Sequence, residues 1–308
     1  MESKVCVTGA AGYLGSSLVK RLLEKGHIVH ATTRNLGDAY KVGLLKSLPN
    51  AETRLRLYEA DIYNPSEFQA AIEGCQFVVH MATPLQHLPQ ISQFKDTTEA
   101  AVAGVESIVE CCITSGTVKR LIYTASVAYA SSKTASEKEL LRYNGAIEIV
   151  SLALGLVGGG TLLSTMPGSV NVLVSQVTNN KAVYNTLRFL EELLGKVPIL
   201  HVEDVCDAHI FCLEKPSING RFLCATAYLS SAEIASHYRM IFPDIQIPDE
   251  FVEKLDRKIV WGSTKLKDAG FEFKCDVKTI LEDSINLGLK LGELELPNLC
   301  IEQFNEML

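Results

Sequence analysis

The chain has 308 residues, 47% of them hydrophobic, enough to bury a large core as one big domain or two coupled ones. Its net charge of −7 is spread along the chain with no Lys/Arg run to neutralise phosphates, which excludes nucleic acid as a partner. Nine cysteines, an odd number at irregular spacings, form neither a secreted disulfide framework nor a zinc site, and reduced thiols fit the cytoplasm.

The N-terminus, Met-Glu-Ser-Lys, runs straight into an apolar strand at 5–7 and leaves no room for a leader peptide. A helical pattern at 12–24 follows, then a strand at 28–31 and a helix at 40–47. Strands at 55–58, 77–80 and 121–124 continue the series, with helical patterns at 67–72 and 95–114 between them. A further helix and a strand at 147–152 complete it. This alternation predicts a doubly wound parallel sheet of Rossmann type covered by helices on both faces, with ligands outside the carboxyl ends of the strands. After Gly160 the pattern becomes irregular. A helix at 186–194, strands at 199–202 and 221–225, and helices at 231–239 and 277–289 are expected there. The sequence divides into a nucleotide-binding domain over 1–160, to which 199–213 returns, and a smaller α/β substrate domain over 161–308. The most apolar run, 149–157, is far short of the roughly 18 residues a membrane span needs, so no membrane partner is expected.

Between the first strand and first helix lies Thr8-Gly9-Ala-Ala-Gly12-Tyr13-Leu14-Gly15. Glycines there permit a tight turn and let backbone N–H groups approach a pyrophosphate at the helix N-terminus. The Gly-x-x-Gly-x-x-Gly spacing matches the short-chain dehydrogenase/reductase pattern. Arg34 ends the second strand, where NAD enzymes place an acid for the ribose hydroxyls. With no Asp or Glu in 31–35, a 2′-phosphate is the better fit, which points to NADPH/NADP+ with Lys41 as a second cation. Asp61-Ile62 follows the third strand, where the carboxylate would bond the adenine amino group; a turn-capping Asp explains the same residue. Met81-Ala82-Thr83 ends the fourth strand with side chains that suit backbone packed on a nucleotide, and turn chemistry would also place them there.

Tyr129 and Lys133 are four residues apart on the helix after the fifth strand, and so share one face. The ammonium would favour the phenolate and bring a phenol of ordinary pKa near 10 closer to working pH. Ser126, at the end of the fifth strand, would hold a carbonyl oxygen for that proton donor. The three residues point to carbonyl reduction by a nicotinamide cofactor. Only Val127-Ala128 separates Ser126 from Tyr129, and three residue steps reach at most about 10 Å. His201, Glu203, Asp204 and His209 lie on a short strand and the helix after it with no third ligand in reach, so they read as structural and no metal is expected.

Taken together, these segments resemble the plant dihydroflavonol reductase, anthocyanidin reductase and vestitone reductase group of extended short-chain dehydrogenases/reductases. The likeness rests on 7–15, 31–34, 59–61, 80–84, 123–126, 129–137, 201–205 and 220–224. Residues 189–190, 193–198 and 206–212 look closest to the HC-toxin reductase-like branch. The resemblance implies NADPH-dependent reduction of a small-molecule carbonyl, flavonoid-like or HC-toxin-like, in plant secondary metabolism, with Ser126, Tyr129 and Lys133 catalytic. It also implies that Leu154 to Val157, including Leu156, and Ser169 line the nicotinamide and phosphate side. Leu154 stands where many relatives have Pro. The relatives insert a few dozen residues between the Ser and the Tyr as a substrate loop, so Val127-Ala128 marks an absent loop. The alternatives are an anthocyanidin or dihydroflavonol reductase proper, a catalytically idle NADP(H)-binding sensor or interaction protein, motivated by that short link, and a nucleotide-sugar epimerase or dehydratase, against which Arg34 argues. Oligomeric state is left open.

Overall fold

A computed structural model of the chain describes residues 2–84, 94–127, 131–252, 255, 259 and 263–294. The chain forms two compact units. The first comprises 1–154, 205–224 and 263–271, and the second 155–204, 225–262 and 272–308.

The first unit opens with β1 (Lys4–Thr8), α1 (Tyr13–Glu24), β2 (Ile28–Thr33), α2 (Ala39–Lys46), α3 (Ala51–Arg54) and β3 (Leu55–Glu59). α4 (Phe68–Ile72), β4 (Phe77–His80), α5 (Thr97–Ser115), β5 (Arg120–Ser126), α6 (Ser131–Leu141) and β6 (Glu148–Leu154) follow. In the second unit come β7 (Leu156–Gly158), α7 (Gly168–Val174), α8 (Lys181–Leu194) and β8 (Val197–His201). α9 (Val202–Glu214) leads back to β9 (Gly220–Cys224), and β10 (Ala227–Leu229), α10 (Ser231–Ile241), α11 (Lys265–Asp268) and α12 (Val277–Lys290) complete the order.

Seven strands form one sheet in the order β3-β2-β1-β4-β5-β6-β9, every neighbouring pair parallel. Burial on both faces explains why β1 and β4 read as continuous apolar runs rather than alternating ones. One face packs Phe68, Ile72, Ile108, Val109 and Leu140 of the helices onto Val78, Leu121 and Ile149 of the strands. α5 is the longest helix among the described residues. Asp96 caps its start by accepting from the N–H groups of Thr98 and Glu99, and Gly116 at φ 64° ends it. The other face carries α9, anchored by the buried Arg120. That guanidinium donates to the carbonyls of Cys212 (2.5 Å) and Lys215 (2.9 Å) at the helix's C-terminal end and pairs with Glu148 on β6. A buried cation is tolerated here because its donors meet both a carboxylate and the negative end of a helix.

The strand and helix series expected from the sequence is present, with two corrections. The segment returning to the first unit begins at Val205, not 199, and the first unit ends at Leu154, not 160. The reason is a second, three-stranded sheet, β10-β8-β7, which takes both 156–158 and 197–201. Val202 opens α9 instead of ending a strand, because β8 runs into that helix with no intervening loop. No helix of the described residues is long and apolar enough to cross a membrane.

Candidate active site

The candidate residues of the first unit gather at the carboxyl ends of its parallel strands. The glycine-rich turn follows β1, Arg34 follows β2, Asp61 follows β3 and Met81 to Thr83 follow β4, while Ser126 ends β5 and Leu154 ends β6. This is where an open α/β sheet takes its ligand.

Gly9 adopts φ +68°, and a Cβ there would lie 3.1 Å from the backbone N and Cα of Ala82. A Cβ at Gly15 would strike the carbonyl oxygen of Gly9 and sit 2.9 Å from the Cα of Ala10. Side chains at either position would fill the turn. Gly12 is the N-cap of α1 and offers no side chain to its amides, and no acidic residue stands in the first turn. Tyr13 and Leu14 begin the helix at this point. A pyrophosphate completes such a helix start, so the residues present fit a dinucleotide.

Beneath the turn, Thr8 organises three neighbours. Its fully buried hydroxyl accepts from the N–H groups of Met81 and Ala82, each at 3.1 Å, and lies 2.8 Å from His80 Nδ1. With both lone pairs occupied, Oγ1 donates to Nδ1, which puts the ring proton of His80 on Nε2. Burial, with the Lys133 charge adding to it, lowers the His80 pKa to about 3, so the ring is neutral. His80 stacks on Tyr123 with ring centroids 5.6 Å apart.

Arg34 is exposed, and among the described residues no carboxylate pairs with it. Lys41 is placed differently from the expectation of a second cation for a phosphate. Its Nζ is 2.9 Å from Asp38, the N-cap of α2, whose side chain also accepts from the Lys41 N–H. The Asp38 carboxyl is held below its usual range mainly by that lysine. Asp61 takes the turn role, with Oδ1 accepting from Tyr63 N–H at 3.0 Å. Ile62 is buried, its side chain filling the space that a Cβ at Gly104 would need. Burial, with the Asp61 charge assisting, raises the pKa of Tyr63, and Arg34 opposes that shift.

At the other end of the site, Ser126 pairs with Leu154 across the β5–β6 ladder, and Val127 N–H donates to the Leu154 carbonyl at 3.0 Å. Tyr129 lies outside the described residues. Lys133, in the first turn of α6, reaches back to β5. Its Nζ donates to the Thr124 carbonyl at 2.7 Å and stands 4.9 Å from the centre of the Tyr123 ring. Burial lowers its pKa to about 7. Further along α6, Glu137 accepts from Ser151 on β6 and from Arg221 on β9 at 2.9 Å, which ties the helix to the sheet. Leu156 and Val157 on β7 and Ser169 on α7 belong to the second unit.

Both histidines considered for a metal have structural partners. His201 Nδ1 accepts from Glu203 N–H and its Nε2 faces Asp283 at 3.2 Å. His209 Nδ1 donates to the Val205 carbonyl at 2.7 Å, so its Nε2 accepts from the Thr124 hydroxyl at 2.8 Å. Asp204 accepts from the N–H groups of Lys274 and Cys275. Among the described residues no cluster of three metal-ligating side chains occurs. Thr8, His80, Thr124 and His209 were not singled out as site residues from the sequence. Their signal is a polar residue embedded in an apolar strand or helix.

A seven-stranded parallel sheet with a glycine-lined turn over its first crossover, and a lysine reaching back to its fifth strand, defines a Rossmann-type nucleotide-dependent short-chain reductase fold. Residues 5–128 match the NAD dependent epimerase/dehydratase family. The chain is 32% identical to an anthocyanidin reductase ((2S)-flavan-3-ol-forming) of Vitis vinifera, over 96% of this chain and 97% of that one. It is also 32% identical to a dihydroflavonol 4-reductase of Gerbera hybrida, over 94% and 87%. The crystal structure of vestitone reductase from alfalfa superposes with a TM-score of 0.78 at 30% identity, covering 95% of this chain and all of that one. The chain therefore belongs to the epimerase/dehydratase family of extended short-chain reductases, in the group that contains the plant anthocyanidin and dihydroflavonol reductases. The Vitis alignment runs to 331 positions over 96% of a 308-residue chain, so a few dozen positions of the relative have no counterpart here.

Proposed function

We propose that this protein is an NADPH-dependent carbonyl reductase acting on a ketone or related unsaturated group of a flavonoid-like secondary metabolite. The observation that carries the reading is the placement of Lys133, whose Nζ meets β5 two residues before Ser126, at the sheet edge that also carries the glycine turn. The likeness to an anthocyanidin reductase and a dihydroflavonol 4-reductase supports the substrate class. Arg34, at the end of β2 and without a neighbouring acid in 31–35, suits a 2′-phosphate and so NADPH over NADH.

When bound, NADPH supplies the hydride, which goes to the carbonyl carbon. Ser126 donates a hydrogen bond to the carbonyl oxygen and fixes its direction. Tyr129 gives its phenolic proton to the oxygen as charge develops there, forming the alcohol. Lys133 stabilises the resulting phenolate and bonds the nicotinamide ribose. Gly9 and Gly15 would admit the pyrophosphate, Met81 to Thr83 would flank the nucleotide and Leu154 would face its nicotinamide half, a role the family resemblance also implies for Leu156, Val157 and Ser169. The eight free cysteines among the described residues suit a reducing, cytoplasmic setting.

The test is NADPH oxidation with flavonoid, isoflavonoid and aliphatic ketones, in the parent and in Tyr129→Phe. Loss of the proton donor should cost roughly 10²–10⁴ in rate. A Tyr129→Phe variant as fast as the parent would remove Tyr129 from the mechanism. The short Ser126–Tyr129 link motivates one second reading, an idle NADP(H)-binding protein, which tight NADPH binding with no turnover across the panel would establish.

A further inference from the structure

The carboxyl end of β5 is held unequally on its two edges. Against β6 it stays in register to the last residue, Thr124 with Leu152, Ala125 with Ala153 and Ser126 with Leu154. Against β4 the ladder stops at His80 with Tyr123, one residue before Thr124. A strand end with a neighbour on one side only frays more readily than a central one.

Two side chains take over at that point, both on Thr124. Lys133 Nζ caps its carbonyl at 2.7 Å, and His209 of α9 accepts its hydroxyl at 2.8 Å. His209 is itself fixed, because its other nitrogen is committed to the Val205 carbonyl of its own helix and its ring is fully buried. The helix that carries it is tied to the opposite end of the same strand, where Arg120 donates to the carbonyls of Cys212 and Lys215. α9 thus clamps β5 at both ends, through Arg120 at the start and His209 at the finish.

We propose that His209 is a positioning residue: through the Thr124 hydroxyl it fixes the end of β5, so that the Thr124 carbonyl meets Lys133 and Ser126 keeps its direction toward the reacting oxygen. The proposal rests on the reductase reading for its catalytic consequence, but the clamp itself is independent of that reading. A glutamine at 209 places an amide oxygen near the position of Nε2 and keeps an acceptor for Thr124, whereas a leucine does not. His209 reaches the strand end through the Thr124 hydroxyl.

The experiment compares His209→Leu, His209→Gln, Thr124→Val and the His209→Leu/Thr124→Val double variant by kcat, KM for NADPH and hydrogen–deuterium exchange. In His209→Leu, kcat should fall roughly ten- to a hundredfold, the cost of a small misplacement of catalytic groups, with KM for NADPH little changed. His209→Gln should recover most of that loss. The double variant should be no slower than the worse single one, because both break the same link. Exchange in a peptide covering 120–127 should quicken by roughly tenfold in His209→Leu while one covering 4–8 is unchanged. Multiplying losses in the double variant, a glutamine no better than leucine, or unchanged exchange at 120–127 would each overturn the clamp. If the parent turns over no carbonyl, the reductase reading fails, and the exchange comparison alone then decides the role of His209.

Discussion

Thr8→Val replaces a fully buried side chain by one of the same shape lacking only the hydroxyl, which makes the cost readable from its three partners. His80 Nδ1, buried and 2.8 Å away, is left without a donor, at about 1–3 kcal/mol for a stranded buried acceptor. The N–H groups of Met81 and Ala82 sit on half-buried residues that water can reach, so each loses about 0.5–1 kcal/mol. The added methyl recovers about 0.8 kcal/mol. The net loss is about 1–4 kcal/mol, outside the ±0.5 kcal/mol typical of a harmless substitution. Urea unfolding followed by far-ultraviolet circular dichroism measures it as a lower midpoint at unchanged slope. NADPH affinity should weaken as well, because the same hydroxyl holds Ala82 against Gly9. Thr8→Ser keeps all three hydrogen bonds and loses one methyl, so it should stay within about 1.5 kcal/mol of the parent. A Thr8→Val protein as stable as the parent, or a Thr8→Ser protein as damaged as Thr8→Val, would refute the assignment.

Arg34→Ala should weaken NADPH binding roughly ten- to a hundredfold relative to NADH, the worth of one charge-assisted contact, and an unchanged ratio of the two dissociation constants would exclude Arg34 from the 2′-phosphate site. Burial lowers His80 and His209 to about 3 and about 4 from 6.5, so below pH 6.5 the unfolded chain takes up protons that the folded chain refuses. The contribution of the two rings is therefore complete above pH 6.5 and falls on acidification by up to about 1.4 kcal/mol per pH unit for each ring, and His209→Gln should lose one ring's share of that slope. Lys133, lowered by burial from 10.5 to about 7, binds fewer protons folded than unfolded between those values. The parent should gain stability as pH rises through that window. Lys133→Met should lack the gain, and the same pH dependence in both proteins would show that Lys133 is not buried as an ammonium.

Much of the first unit was legible because short apolar strands such as β1 and β4 alternate with amphipathic helical stretches. β7 and β10 were not, since three residues carry no readable period, and missing them moved the expected domain boundary from Leu154 to Gly160. The sequence shows the charge of Lys41 but not its pairing with Asp38, the N-cap of α2. The pairings of Thr8 with His80 and of Thr124 with His209 join residues 72 and 85 positions apart. They belong to sheet order and helix placement, which no local pattern encodes.

The short Val127-Ala128 link is best judged from what stands on either side of it. Within the described residues β5 runs in register with β6 through Ser126, and α6 begins at Ser131 with Lys133 already back in contact with Thr124. Ser126 and Lys133 are therefore both held at the same strand end. A segment inserted between two points that close together is an excursion: it changes what lies over the site without changing where its ends are held. The positions that the Vitis relative has in excess can thus be absent here while Ser126 and Lys133 keep their places. What such a loss removes is contact with the distal parts of a substrate. Rate is governed by groups that touch the reacting atoms, and discrimination by the remote contacts. On this reasoning kcat/KM across ketones that differ only in their distal groups should spread less in this chain than in the Vitis relative, and an equal spread would refute it.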